Sequence, residues 1–156
     1  MKKIIAKNYI YEGLGFPIEL RDVEMVKIDG ELHPKIDVRK IADLAIKSLV
    51  LQNKRLTGNQ IKFIRTYYSM SLREFSKIVN ESHMAIKKWE DYKDKPTNMD
   101  KNIEIMIRLQ IYNRIISDKK SDKRGKMNFY KHFLTLVNMF SHMSAKNMGG
   151  SHLQTA

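Results

Sequence analysis

Cysteine is absent from the 156 residues, proline occurs three times and tryptophan once. Without thiols the chain can form neither disulfides nor thiolate metal sites, and thiol nucleophiles are excluded from its chemistry. That absence is compatible with an intracellular protein. No run approaches the ~20 apolar residues that span a bilayer. The opening stretch Met1 to Lys7 has basic residues but lacks the apolar run of ~7–15 residues found in a signal peptide. The expected location is cytoplasmic, with no membrane partner.

Acidic side chains are also scarce. Twenty-nine Lys and Arg against 17 Asp and Glu leave a formal charge of +12, which favours a polyanionic partner such as nucleic acid or an anionic surface. Residues 1–53 hold 9 basic and 8 acidic side chains, residues 54–96 hold 10 and 5, and residues 97–156 hold 10 and 4. The polyanion-binding surface is therefore expected beyond residue 53. His33, His83, His132, His142 and His152 form no i, i+4 pair and accompany no carboxylate motif, so neither a metal site nor a cofactor is expected. Nor does any segment offer the clustered acids or paired histidines that a nuclease would need. The chain does not read as an enzyme.

The organisation along the chain follows from turn and capping signals. Residues 18–36 read as extended, with partial alternation from Val23 to Ile28 broken by Asp29-Gly30, a pair suited to the positive φ of a hairpin turn. Pro34 restricts the second arm to an edge strand. Asp37 is positioned to cap a helix running to about Gln52, with Val38, Ile41, Leu44, Ala45 and Leu49 at helical spacing. Four more helices follow. Thr57 with Gln60 and Ser71 with Glu74 are capping boxes, in which a hydroxyl accepts from an orphan amide and the Gln or Glu reaches back. Ile61, Ile64 and Tyr68 mark one face of the first of these helices, and Leu72, Phe75, Ile78 and Val79 one face of the second. Ser82 can cap a third whose inward face is Ala85, Ile86 and Trp89. Pro96 ends that stretch, and Ile103, Met106, Ile107, Gln110 and Ile111 outline a fourth. A basic linker from about Lys119 to Lys126, a short helix within Phe129–Met143 and a disordered tail complete the chain. The expected fold class is mainly α, a helix-turn-helix bundle with a small N-terminal β-hairpin and helix. Its segments are an N-terminal extension over 1–53, a helical domain over 54–116 and a basic C-terminal region over 117–156.

The short connection Lys77 to Ser82 forces its two helices to cross steeply, which is helix-turn-helix geometry with the second helix presented to the major groove. With Ala85, Ile86 and Trp89 inward, His83, Met84, Lys87 and Lys88 must face outward. Lysine can donate to guanine acceptors and methionine can touch a thymine methyl. Trp89 is expected in the core, and Glu90 is expected to cap or pair with a neighbour.

Ile61 to Arg65, Met70 to Ser76 and Ser82 to Glu90 together resemble the Cro/repressor-like (Xre-type) helix-turn-helix domains of phage repressors and many antitoxins. The resemblance implies that Ser82 contacts phosphate, that His83, Met84 and Lys88 face bases, and that Lys87 lies near the DNA backbone. Ser71 and Arg73, at the start of the preceding helix, complete the candidate DNA-binding set. Leu72 stands where the family commonly has glutamine, and Tyr92 where it usually turns with glycine. The longer stretch from Tyr9 to about Ile115 also resembles antitoxins whose helix-turn-helix follows an N-terminal extension, though without the cysteines of the zinc-binding kind.

These readings imply a dimeric repressor of duplex DNA, because one such domain covers a half-site. A toxin protein bound through the N-terminal region remains open, as does a free-standing phage-type regulator. RNA binding is the third alternative, disfavoured because the exposed end of the third helix lacks aromatics for base stacking.

Overall fold

The computed structural model describes residues 2–118 together with 131, 134, 135, 137 and 138. Three strands come first: β1 (Ile4–Tyr11), β2 (Ile18–Ile28) and β3 (Glu31–Pro34), followed by α1 (Val38–Leu51), α2 (Gly58–Tyr67), α3 (Leu72–Val79), α4 (His83–Glu90) and α5 (Lys101–Asp118). The strands form one antiparallel sheet in the order β1-β2-β3.

The mainly-α expectation is corrected by this sheet. Of the described residues 51% are helical and 21% are in strands, so the fold is mixed α and β, with a three-stranded sheet instead of a lone hairpin. The hairpin itself is β2 and β3, joined through Asp29 and Gly30 at φ 50° and 88°. The strand that sequence reasoning omitted is β1, which pairs with β2 from Ile4 opposite Met25 to Tyr11 opposite Ile18. Most of its side chains are exposed, so burial imposes no apolar alternation on Ile4 to Tyr11 for periodicity to detect. The turn between β1 and β2 ties the sheet to the helices: Phe16 is buried and meets the Phe63 ring edge-on at 5.3 Å, and Leu14 and Ile18 pack nearby.

The core lies among the helices. Ile46, Leu49 and Val50 of α1, Ile61 and Ile64 of α2, Phe75 and Val79 of α3, Ile86 and Trp89 of α4, and Ile107 and Ile111 of α5 belong to one buried cluster. Asp37 caps α1, accepting from the Lys40 amide. The buried face of α1 is Ile41, Ala45, Ile46, Leu49 and Val50; Val38 and Leu44, expected inward, are about half exposed.

A polar network joins α5 to the α1–α2 connection. Glu104 and Arg108 are each only 2% exposed. The Arg108 guanidinium donates to the carbonyls of Leu49, Val50, Gln52 and Lys54 and to Glu104, while Glu104 also accepts from the Leu56 amide and from Arg55. Burial pushes the Arg108 pKa down, opposed by the hydrogen bond and charge of Glu104. One arginine thus satisfies the carbonyls of Leu49 and Val50 in the last turn of α1, which that helix end leaves without intrahelical partners, and those of Gln52 and Lys54 in the connection that follows. The basic linker and the tail lie outside the described residues. So does most of Phe129–Met143, of which Leu134, Thr135, Val137 and Asn138 are helical and Val137 packs against the core.

Candidate nucleic-acid interface

Ser71 and Ser82 each close a helix start. Ser71 accepts from the Glu74 amide at 3.2 Å while its own amide donates to Glu74 Oε2 at 2.7 Å, completing the capping box of α3. These bonds hold the Glu74 carboxyl below the ordinary glutamate range. α3 ends at Asn80, whose left-handed backbone (φ 53°, ψ 46°) turns the chain, and the Glu81 amide donates to the Ser76 carbonyl. Ser82 then caps α4 by accepting from the Ala85 amide at 3.0 Å. Only Asn80, Glu81 and Ser82 separate the two helices, the length of a helix-turn-helix connection.

The direction of α4 is set by what it buries. Ile86 is fully buried and Trp89 is 7% exposed, whereas Ser82, His83, Met84, Lys87 and Lys88 are all exposed, Met84 at 57%. Ser71 and Arg73 are exposed on the neighbouring start of α3. All seven candidate residues therefore reach solvent from two adjacent helices. Their electrostatic states differ. Lys87 Nζ contacts Asp91 Oδ1 at 2.6 Å, and that hydrogen bond, with the Asp91 charge, raises the Lys87 pKa. Lys88 has no ion-pair partner among the described residues and offers an uncompensated cation.

Two contacts that sequence reasoning did not find fix the far end of α4. Arg65 of α2 makes a two-pronged bond to Glu90, with Nε to Oε1 at 2.6 Å and Nη2 to Oε2 at 3.0 Å, and its Nη1 donates to the Met70 carbonyl. The start of α2 also abuts the end of α4 so closely that a Cβ on Gly58 would lie 2.5 Å from the Trp89 carbonyl oxygen and 2.6 Å from the Lys93 nitrogen. The Asn59 amide donates to the Lys93 carbonyl at 2.8 Å, and the Thr97 amide to Leu56 at 3.0 Å. A glycine directly after the capping Thr57 was the available signal.

The loop after α4 adds cations to the same side. Lys88, Asp91, Tyr92, Lys93, Asp94 and Lys95 line one open groove. The left-handed residue of this turn is Lys93, at φ 53°, and Tyr92 is half-buried. Among the described residues no cluster of His, Asp and Glu could hold a metal ion, and no helix is long and apolar enough to cross a membrane.

Comparison with family models, curated proteins and solved structures finds no match. The functional reading accordingly rests on the geometry and chemistry of α3, α4 and the loop that follows.

Proposed function

We propose that the protein is a sequence-specific regulator of transcription that binds duplex DNA, with α4 in the major groove and α3 lying across the backbone. The observation that carries this reading is the three-residue turn between two capped helices, which leaves His83, Met84, Lys87 and Lys88 exposed on a helix whose other face is buried. Arg73, Lys93 and Lys95 supply phosphate contacts around that helix, and Ser71 and Ser82 lie at its edges. Because Lys87 is already paired with Asp91, Lys88 is the better candidate to read a base edge, with Lys87 nearer the backbone. The protein would act in the cytoplasm as a homodimer on two half-sites, without catalysis and without a cofactor.

Selection from random duplexes followed by competition binding tests this. Lys88→Ala should lose roughly 1–3 kcal/mol of discrimination at one position of the selected site. His83→Ala and Met84→Ala should weaken specific binding more than nonspecific binding. Affinity should also fall steeply with salt, by about 0.9 in log K per phosphate contact per decade. Specific binding unchanged in all three variants would remove α4 as the recognition helix.

A second protein-binding role is favoured by the N-terminal sheet, where Ile4, Ile5, Ile10, Ile28 and Leu32 are each about half exposed. A toxin partner held there would make the chain an antitoxin that represses its own operon.

A further inference from the structure

A second groove shares Asp94 with the one beside Lys88. It is bounded by the α1–α2 connection, the start of α2, the end of the loop after α4 and the start of α5, and its volume of about 500 Å³ falls in the range of small-molecule sites. The lining holds three cations, Lys54, Arg55 and Lys101, and one acid, Asp94. Lys54 is exposed and Lys101 half-buried, and neither forms an ion pair among the described residues. Arg55 donates through Nε to Glu104 and through Nη2 to the Met99 carbonyl, which leaves Nη1 without a partner among the described residues. Glu104 is shared with Arg108, so it does not neutralise Arg55 alone. The Gln60 oxygen accepts from the Thr57 amide and from Gln52 Nε2, leaving the Gln60 Nε2 as a further donor. These surplus donors are side chains, because Thr57 and Asp100 already take the Gln60 and Asn102 amides at the two helix starts. Two acceptors complete the lining. Gln52 spends its Nε2 on the Lys54 and Arg55 carbonyls and on Gln60, leaving Oε1, and Asp94 receives Asn59 Nδ2 on Oδ1 at 2.9 Å, leaving Oδ2.

We propose that this groove binds a small sugar phosphate, with the phosphate held by Lys54, Arg55 and Lys101 and the sugar hydroxyls donating to Asp94 and Gln52. The mixture of groups selects this ligand. Charge-assisted bonds from lysine and arginine suit a phosphate, whereas a neutral sugar would leave three cations unanswered. Inorganic phosphate alone would leave the two acceptors unused, and a continuous polyanion such as a DNA strand would meet the Asp94 carboxylate as a like charge. The site is built into the loop that follows α4. The Asn59 amide donates to the Lys93 carbonyl at 2.8 Å, the Asn59 side chain to Asp94, and the Gly58 amide to the Lys95 carbonyl at 3.3 Å. Lys93 and Lys95 belong to the set assigned above to DNA phosphates, so a phosphate bound beside them adds negative charge next to those contacts and lowers the affinity for DNA. That regulatory consequence rests on the regulator reading; binding of the sugar phosphate does not.

The test follows backbone amide shifts of the full chain, without DNA and in dilute chloride buffer, during titration with ribose 5-phosphate, inorganic phosphate or ribose to ~10 mM, a range that reads a Kd near ~1 mM. Ribose 5-phosphate should give saturable shifts confined to residues 52–60 and 94–102 and should bind more tightly than inorganic phosphate, while ribose alone should give none. Lys54→Gln and Lys101→Gln should each weaken ribose 5-phosphate by about threefold or more, and the double variant by about tenfold or more, with melting temperatures near that of wild type. Should Lys101→Gln disturb the fold, the exposed Lys54→Gln reads the same contact. Asp94→Asn keeps an oxygen for Asn59 but loses the carboxylate, so it should bring ribose 5-phosphate and inorganic phosphate to similar affinities. The absence of a saturable shift, binding unchanged in the double lysine variant, or a preference for ribose 5-phosphate that survives Asp94→Asn overturns the proposal. So does a groove that answers only to duplex DNA, which would show as a salt slope lowered by about one for each lysine replaced. Saturable sugar-phosphate binding in a protein with no affinity for duplex DNA would leave the site standing and overturn the regulator reading instead.

Discussion

Glu90→Ala removes one partner from the buried pair that ties the end of α4 to α2. In the native protein the Arg65 side chain is only 14% exposed and the Glu90 side chain 8%, with two parallel hydrogen bonds between them. Losing the carboxylate leaves a guanidinium largely out of water, with only the Met70 carbonyl as a remaining acceptor among the described residues. Breaking a buried pair from one side costs about 3–5 kcal/mol. At roughly 2–4 °C per kcal/mol for a chain of this size, the melting temperature should fall by about 6–20 °C. The double variant Arg65→Met/Glu90→Met removes both charges and keeps comparable volume, so it should recover most of that loss. A shortfall of about 1 kcal/mol would remain for the Met70 carbonyl, which loses its donor. Urea and thermal denaturation of the wild type, the single variant and the double variant measure these differences directly. If Glu90→Ala cost less than about 1 kcal/mol, the pair would be behaving as a solvent-screened surface bridge, and the argument from burial would fail.

Gly58→Ala should destabilise by about 1–3 kcal/mol despite alanine's better helix propensity, because its methyl group would press on the backbone of Trp89, Glu90 and Lys93; a neutral or stabilising result in chemical denaturation would show that α2 and α4 can separate freely. Trp89→Ala should cost on the order of 3–5 kcal/mol by opening a cavity in the core, read as a lowered melting temperature, and an unchanged value would contradict its burial. Glu74→Gln keeps a capping acceptor but removes a carboxylate whose pKa is lowered by Ser71. A lowered carboxylate pKa stabilises the fold above the ordinary glutamate pKa and loses that contribution as pH falls through the native value. Wild type and variant should therefore differ most near neutrality and converge in acid, whereas a gap that widens on acidification would reverse the assigned sign.

Local chemistry explains how much of this protein is legible in its sequence. Asp29-Gly30, Asp37, Thr57 with Gln60, Ser71 with Glu74, and Ser82 act within three or four residues of themselves, so turn and cap positions could be read without knowing what packs where. Five helices and one hairpin follow from those signals and from apolar spacing. So does the outward position of His83, Met84, Lys87 and Lys88, because a single buried stripe on an eight-residue helix leaves the remaining positions to solvent. Tertiary structure decided what depended on distant neighbours. β1 is a strand because β2 supplies its hydrogen bonds, and its exposed residues carry no pattern of their own. Leu44 and Met106 face outward, although their spacing suggests core, because α1 and α5 turn other faces inward. Glu104 and Arg108 are buried because the end of α1 and the α1–α2 connection, 48 to 59 residues away, present carbonyls and an amide that need partners, a demand that helical periodicity in α5 cannot express. Arg65 finds Glu90, and Gly58 finds the end of α4, only when α2 packs across it. Hydrogen bonds that close within one turn are set by adjacent residues, whereas burial and ion pairing are set by whichever surface the folded chain brings near.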